Sequence, residues 1–124
     1  MKLKDDFFIV KNFCQTASGM DYAIELNPKH TIFGAHFPNN PITPGVCIIQ
    51  IVKELSEDML KCELFLKEAK NIKFLNVIDP LKNPDITFSI SIASESEEEH
   101  KINTVVYTHD QQFAKLSMLF LNEQ

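Results

Sequence analysis

The clearest alternation of hydrophobic and polar residues lies in the second half of the chain, over residues 86–94. Apolar residues that share one face occupy every second position of ITFSISIAS: Ile86, Phe88, Ile90 and Ile92. A period of two residues is typical of a β-strand with one buried face. Residues 101–108 and 112–121 predict two further strands, and the acidic run ESEEE at 95–99 predicts a solvated turn.

The first half of the chain predicts shorter elements. Residues 7–13 and 22–27 read as strands, and Ser18 and Gly19 mark the turn between them. A short extended stretch is predicted over residues 31–35, directly before a loop that contains three prolines. Because proline fixes φ and disfavours helix at the preceding residue, we expect no regular element in that loop.

One helix of about five turns is predicted over residues 46–64, where apolar residues recur every three or four positions. Pro44 suits the first turn, and Thr43 is the candidate N-cap. The first half of the helix is apolar on nearly every side, so we expect it to be deeply buried. A short strand at 71–75 and a proline loop at 80–84 follow. Strands, one long central helix and more strands predict an antiparallel α+β fold.

Length and composition indicate a single domain over residues 1–124. Hydrophobic residues make up 44% of the chain, which is enough for one core. The net charge of −5 at pH 7 argues against nucleic acid as a partner, since that requires basic patches. No stretch approaches the roughly 18 apolar residues that membrane insertion requires. The N-terminus does not resemble a signal peptide, so we expect a cytoplasmic protein.

The cysteines support the same expectation. Cys14, Cys47 and Cys62 are odd in number and form no C-x-x-C pair. This spacing predicts neither a disulfide framework nor a structural zinc site. Free thiols are typical of a reducing cytoplasm. Cys47 is expected to be a small buried hydrophobic residue of the helix.

The loop before the helix is the most distinctive segment of the chain. It follows the pattern H-F-P-x-x-P-x-x-P-G-V, from His36 to Val46. Its prolines would hold His36 and Gly45 in a fixed relation. A neutral imidazole is a suitable general base near pH 7. A backbone N–H group at a helix N-terminus can stabilise developing negative charge.

This segment resembles the active-site segment of the β-hydroxyacyl-acyl-carrier-protein dehydratases, which are hotdog-fold enzymes of fatty-acid synthesis. Residues 70–80, KNIKFLNVIDP, resemble the strand that follows the helix in that family. The resemblance implies a hotdog fold, with the sheet wrapped around the helix. It implies that His36 removes the proton α to the thioester and that the Gly45 N–H polarises the thioester carbonyl. Three neighbouring residues would help to bind the substrate: Phe37, Pro44 and Val46.

One position departs from the pattern of this family. Its second catalytic residue, a Glu or Asp fourteen positions after the histidine, is Gln50 in this chain. An amide has no proton to donate to the leaving C3 hydroxyl near neutral pH. Gln50 could instead bind the hydroxyl or a water, or be a buried amide satisfied by backbone. Many family members carry Gln one turn later, where this chain has Glu54. Residues four apart share a helix face. Glu54 is therefore a candidate replacement acid, with a solvated or interface carboxylate as the alternative.

The sequence is compatible with three functions. The first is a hydro-lyase that dehydrates a (3R)-hydroxyacyl group on acyl carrier protein, in fatty-acid or related lipid or polyene synthesis. The resemblance implies no metal or redox cofactor for this reaction. The second is a catalytically impaired hotdog subunit that binds acyl chains or pairs with an active dehydratase. The third is a hotdog thioesterase. The resemblance also implies a homodimer or heterodimer that joins two sheets edge to edge, with each site built from both subunits.

Overall fold

Six strands and two helices make up the described part of the chain, which in this computed structural model is residues 1–36, 39 and 41–123, without the side chain of His36. In chain order the elements are β1 (Phe8–Gln15), β2 (Gly19–Leu26), α1 (Thr31–His36), α2 (Gly45–Leu60), β3 (Leu64–Phe74), β4 (Asp85–Glu95), β5 (Glu99–Thr108) and β6 (Gln111–Asn122).

The strands form one sheet in the order β1-β2-β4-β5-β6-β3, and all neighbouring strands are antiparallel. The strands β1 and β3 therefore lie at the two edges. The register of β3 on β6 runs from Leu64 opposite Asn122 to Phe74 opposite Ala114. Helix α2 packs against β2, β3 and β4. The strand that follows the helix in the chain thus lies at the far edge from β1.

The core lies between α2 and one face of the sheet. The predicted alternation over 86–94 is confirmed, since Ile86, Phe88 and Ile90 are at most 3% exposed and Ile92 packs against the core. The helix contributes buried residues to the same core: Cys47, Ile48, Ile51, Val52 and Leu55. The predicted burial of Cys47 is confirmed. The strands β1, β2, β4, β5 and β6 are also those predicted, with ends that differ by at most three residues.

The predicted extended stretch at 31–35 is wrong, because these residues belong to helix α1. Two contacts account for the helix. The Nδ1 atom of His30 accepts a hydrogen bond from the N–H of Ile32 at 3.1 Å, near the start of α1. The ring of Phe33 stacks on Phe7, with ring centroids 4.9 Å apart. The second contact joins residues 26 positions apart, which local patterning does not show.

The predicted end of the long helix is also wrong. Helix α2 ends at Leu60, because Lys61 adopts the left-handed conformation with φ of 57° and its N–H bonds to the carbonyl of Glu57. Strand β3 then begins at Leu64, seven residues before the predicted start of the strand at 71–75. Pairing with β6 supplies partners for the extra residues of β3. That pairing is a long-range contact and overrides the helical periodicity of the sequence.

The start of α2 differs from the prediction in its cap. The N-cap residue is Pro44, which offers no side-chain cap, and not Thr43. The Oγ1 atom of Thr43 is buried and has no hydrogen-bond partner in the described part of the chain, while the Thr43 N–H donates to the carbonyl of Ile78 at 2.9 Å. The expected deep burial of the first helical turns is wrong for Val46, which is 62% exposed.

None of the helices in the described ranges has the length and apolar character needed to cross a membrane.

Candidate active site

An apolar groove of about 320 Å³ opens at the start of α2. One side of the groove is formed by Thr43, Gly45 and Ile48, and the other by Phe74, Val77 and Ile78. In any α-helix the first four N–H groups have no acceptor inside the helix. The N–H groups of Gly45 and Val46 belong to this set, and they lie at the positive end of the helix dipole. The groove therefore combines apolar walls with backbone N–H donors at one end.

Gly45 allows a close approach of the Phe74 ring. A Cβ atom at position 45 would lie 2.8 Å from Cζ and 2.9 Å from Cε2 of the Phe74 ring. Carbon atoms do not pack at such distances, so any other residue would displace the ring. The absence of a side chain at Gly45 lets the end of β3 approach the first turn of the helix.

The mouth of the groove is surrounded by exposed apolar side chains. They are Phe74, Leu75 and Val77, which are between 45% and 60% exposed. Contiguous exposed apolar surface commonly marks a binding site for an apolar ligand or for a partner protein. We call these three residues the groove rim. The position of the groove at the uncapped end of α2 makes this end the candidate active site.

The residues predicted from the sequence fall into two groups. Gly45 lines the groove, and Pro44 is the N-cap between Thr43 and Gly45. Val46 is exposed and is not among the residues that line the groove. His36 is the last residue of α1. The side chain of His36 and all of Phe37 lie outside the described residues, so their predicted roles stay predictions.

Gln50 and Glu54 contact each other on the next turns of α2, as expected for residues four apart. The Nε2 atom of Gln50 donates to Oε2 of Glu54 at 2.8 Å and to the carbonyl of Met1 at 2.7 Å. The carboxylate of Glu54 also accepts the N–H groups of Leu3 and Lys4, each at 2.7 Å. Glu54 is only 8% exposed, so a solvated carboxylate is excluded, whereas the alternative of an interface carboxylate stays a prediction.

These contacts define how the two side chains are used in this structure. Three N–H groups converge on the Glu54 carboxylate and satisfy both of its oxygens. N–H donors are the partners that an ionised carboxylate accepts, whereas a protonated carboxyl group needs an acceptor for its own hydrogen. The arrangement therefore holds Glu54 as an anchor for residues 1–4. Gln50 is half-buried and bonds to backbone, in line with one of its two predicted roles.

Two groups near α2 have displaced pKa values, and both result from burial. Burial raises the pKa of the Cys47 thiol in the first turn of the helix. Burial, together with a hydrogen bond to Asp58, raises the pKa of the Tyr22 hydroxyl. Both groups are protonated near neutral pH, which makes Cys47 a poor nucleophile. Neither of them supplies a charge to the groove.

Sequence patterning missed two sets of residues at this site. The first is the segment from Phe74 to Ile78, which begins at the last residue of β3 and forms one wall of the groove. Its composition, FLNVI, is a weak signal, since apolar residues outside regular elements have to find another partner. The second is the N-terminal backbone at Met1, Leu3 and Lys4. No pattern could have found it, because backbone N–H and C=O groups are the same in every residue.

Comparison with known proteins places these observations in a family. The profile of the ApeI-like family, described as ApeI dehydratase, matches residues 13–116. That range includes the proline loop, α2 and β3. No curated protein matches the chain.

Several solved structures are similar. They include the dehydratase heterocomplex ApeI:P from Xenorhabdus doucetiae, with a TM-score of 0.68 and 21% identity over 92% of this chain and 97% of that chain. An uncharacterized protein from Erwinia carotovora subsp. atroseptica has a TM-score of 0.66 and 16% identity, over 90% and 91% of the two chains. A hypothetical thioesterase with coenzyme A from Streptococcus pneumoniae has a TM-score of 0.63 and 8% identity, over 92% and 88%. These similarities show a hotdog-type fold.

Proposed function

Because this chain belongs to the ApeI-like dehydratase family, we propose that it is a hydro-lyase that converts (3R)-hydroxyacyl groups on acyl carrier protein into trans-2-enoyl groups. One observation supports the site in particular: the apolar groove lies against the uncapped start of α2, at the Gly45 that the family pattern predicts. We take residues 1–124 as a single hotdog domain.

In this proposal the groove binds the acyl thioester, and the Gly45 N–H donates to the thioester oxygen. Negative charge develops on that oxygen when the α-proton is removed, and a preorganised donor at the positive end of a helix stabilises it. His36 is the base that takes the α-proton. The C3–O bond then breaks with its electron pair going to oxygen. A proton must reach that oxygen so that water can leave.

This chain lacks the usual acid for one step, the transfer of a proton to the leaving C3 oxygen. Gln50 occupies the position of the usual acid, and an amide cannot donate a proton near neutral pH. Glu54, the candidate replacement acid, is hydrogen-bonded to the backbone of residues 3 and 4. General acid–base assistance is typically worth about 10²–10⁴ in rate. We therefore expect slow dehydration by this chain alone.

A second candidate function follows from the same contacts. The chain would be one subunit of a heteromeric dehydratase, in which a related hotdog subunit supplies the carboxylate. The occupied carboxylate of Glu54 supports this alternative, and so does the similarity to a protein that is a dehydratase heterocomplex. The edge strand β3 offers a pairing surface, with Phe65 and Phe74 more than half exposed. A thioesterase ranks third, since the family is one of dehydratases.

The test is dehydration of a short (3R)-hydroxyacyl carrier protein by the purified chain, followed as ultraviolet absorbance of the enoyl thioester. It is run on the wild type, His36→Ala and Gln50→Glu, with Glu57→Gln as a control on the same helix. Slow wild-type activity that disappears in His36→Ala supports the hydro-lyase. An inactive wild type that gains activity in Gln50→Glu supports the heteromeric subunit. Thioester hydrolysis without enoyl product would overturn both proposals.

A further inference from the structure

The ring of Phe74 lies directly against the backbone of Gly45 at one end of the apolar groove. A Cβ atom on Gly45, which has the size of a methyl group, would lie 2.8, 2.9 and 3.5 Å from three carbons of this ring. The first two distances are well below the roughly 3.5–4.0 Å at which carbon atoms pack. The space between the ring and the first turn of α2 therefore does not admit even one methyl group.

Backbone hydrogen bonds hold the wall that carries this ring. Phe74 is the last residue of β3, which pairs with β6. The N–H groups of Leu75 and Asn76 both donate to the carbonyl of Phe113 on β6, at 2.8 and 3.3 Å. The side-chain amide of Asn76 donates to the carbonyl of Gln112 at 2.8 Å. The end of β3 is thus fastened to the sheet, so the width of the groove at Phe74 is set by backbone positions.

The same contact places the ring beside the N–H of Gly45, which has no acceptor inside the helix. The Cβ position and the amide nitrogen are bonded to the same Cα atom, and in a helix the Cα–Cβ bond is tilted toward the N-terminus. A thioester oxygen bound to this N–H would be about 2.9 Å from the nitrogen. The sulfur on one side of the carbonyl carbon leads out to the carrier protein, and C2 on the other side enters the groove. C2 is therefore the chain carbon that passes the Phe74 ring.

We infer that Phe74 is a specificity-determining residue, which excludes acyl chains that carry a substituent on the side of C2 facing its ring. The inference rests on the proposed function and narrows the substrate class to chains that are unbranched at this position. Dehydration removes only one hydrogen from C2, so a methyl group in place of the other is chemically compatible with the reaction. The lack of room between Phe74 and the first turn of α2 is what excludes it.

The test compares three probes on the purified full chain. One is a hydrolysis-resistant amide analogue of a short (3R)-hydroxyacyl pantetheine, and the other two are the same molecule with a methyl group at C2 in either configuration. Dissociation constants are measured by calorimetry. The methylated probe whose methyl group faces the ring should bind about 10- to 200-fold more weakly than the unbranched one, the usual effect of one such group in an apolar pocket.

The role of the ring is tested with Phe74→Ala, and Phe13→Ala is the matched control. Both phenylalanines are more than half exposed and lie on edge strands, but Phe13 is on β1, at the opposite edge of the sheet. Phe74→Ala opens space beside Gly45, so the ratio of dissociation constants should fall to about one. Phe13→Ala should retain the wild-type ratio. In wild-type NMR spectra, the ring protons of Phe74 should show nuclear Overhauser effects to the C2 protons of the bound unbranched probe.

The possible outcomes separate the inference from the proposed function. A wild type that binds all three probes equally would overturn the inference alone. A wild type that binds none of them overturns the inference and the proposed function together. A preference for the unbranched probe that survives Phe74→Ala, or one that Phe13→Ala reduces as much, also contradicts the inference. A bound probe without Overhauser effects between C2 and the Phe74 ring contradicts the inferred contact even if a variant does not fold.

Discussion

The two ends of helix α2 differ in how completely their polar groups are satisfied. At the C-terminal end, the carbonyl of Glu57 accepts the N–H groups of Lys61 and Cys62, and its carboxylate accepts that of Leu64. At the N-terminal end, Pro44 provides no side-chain cap, and Val46 is largely exposed. One end is closed by the protein itself. The other end keeps donors and apolar surface available.

This difference indicates which end of the helix has a binding role. Exposed apolar surface costs stability when nothing covers it, and a helix start without a side-chain cap lacks the stabilisation that a cap would add. Their concentration at the start of α2, beside a groove of about 320 Å³, is explained if a ligand or a partner covers them. At the C-terminal end of α2, where the polar groups have partners, we expect no binding role. Changes there should affect folding and leave ligand binding intact.

The largest expected effect comes from exchanging Gln50 and Glu54, on the turns that follow the open end of α2. The double variant Gln50→Glu, Glu54→Gln keeps an amide and a carboxyl group side by side and puts the acid at the family's position. The new carboxyl group would lie near the Met1 carbonyl, which can accept its proton when it is neutral. We expect dehydration to increase by about 10²–10⁴, the usual contribution of a general acid. The measurement is enoyl formation across a pH series, and an unchanged rate would contradict the proposed site.

The second prediction compares how much the carboxylates of Glu54 and Glu57 contribute to stability. Glu54→Ala leaves the N–H groups of Leu3 and Lys4 and the Gln50 amide without their acceptor in a buried setting. We expect a loss of about 2–4 kcal/mol in the free energy of unfolding. Glu57→Ala removes one hydrogen bond at a more exposed position, and we expect about 1 kcal/mol. Urea denaturation measures both, and an equal loss would show that Glu54 is no special anchor.

The smallest expected effect concerns the C-terminal half of α2, and it depends on pH. The hydroxyl of Tyr22, which is fully buried, donates to Asp58 at 3.1 Å. Burial and Asp58 raise the pKa of Tyr22 above its ordinary value of about 10. A raised pKa means that this stabilisation is fully present below about pH 10 and is lost as the pH rises further.

Tyr22→Phe should therefore cost about 1 kcal/mol at neutral pH and weaken the loss of stability above about pH 10. Thermal unfolding followed from pH 7 to pH 11 measures this. If the variant kept the full alkaline loss of stability, Tyr22 would not be its source.

The fold was predictable where one local pattern agreed with long-range packing. Strand β4 alternates strictly, and its buried face is the one that the sequence predicts. The start of α2 after Pro44 was also predictable, because proline and glycine restrict the backbone locally. The end of α2 was not, since the periodic residues 61–64 are equally compatible with helix. The left-handed conformation of Lys61 and the pairing of β3 with β6 determine where the helix ends.

The candidate site divides in the same way. The positions of Gly45, Gln50 and Glu54 on one helix, and the contact between the last two, follow from spacing along the chain, because the helical repeat is a local property. The partners of that pair come from the backbone about 50 residues earlier, and the ring against Gly45 comes from the end of β3. Those contacts depend on how the chain folds back on itself. The residue types therefore indicate which chemistry is available, and the packing of residues 1–4 on α2 determines which hydrogen-bond partners Gln50 and Glu54 have.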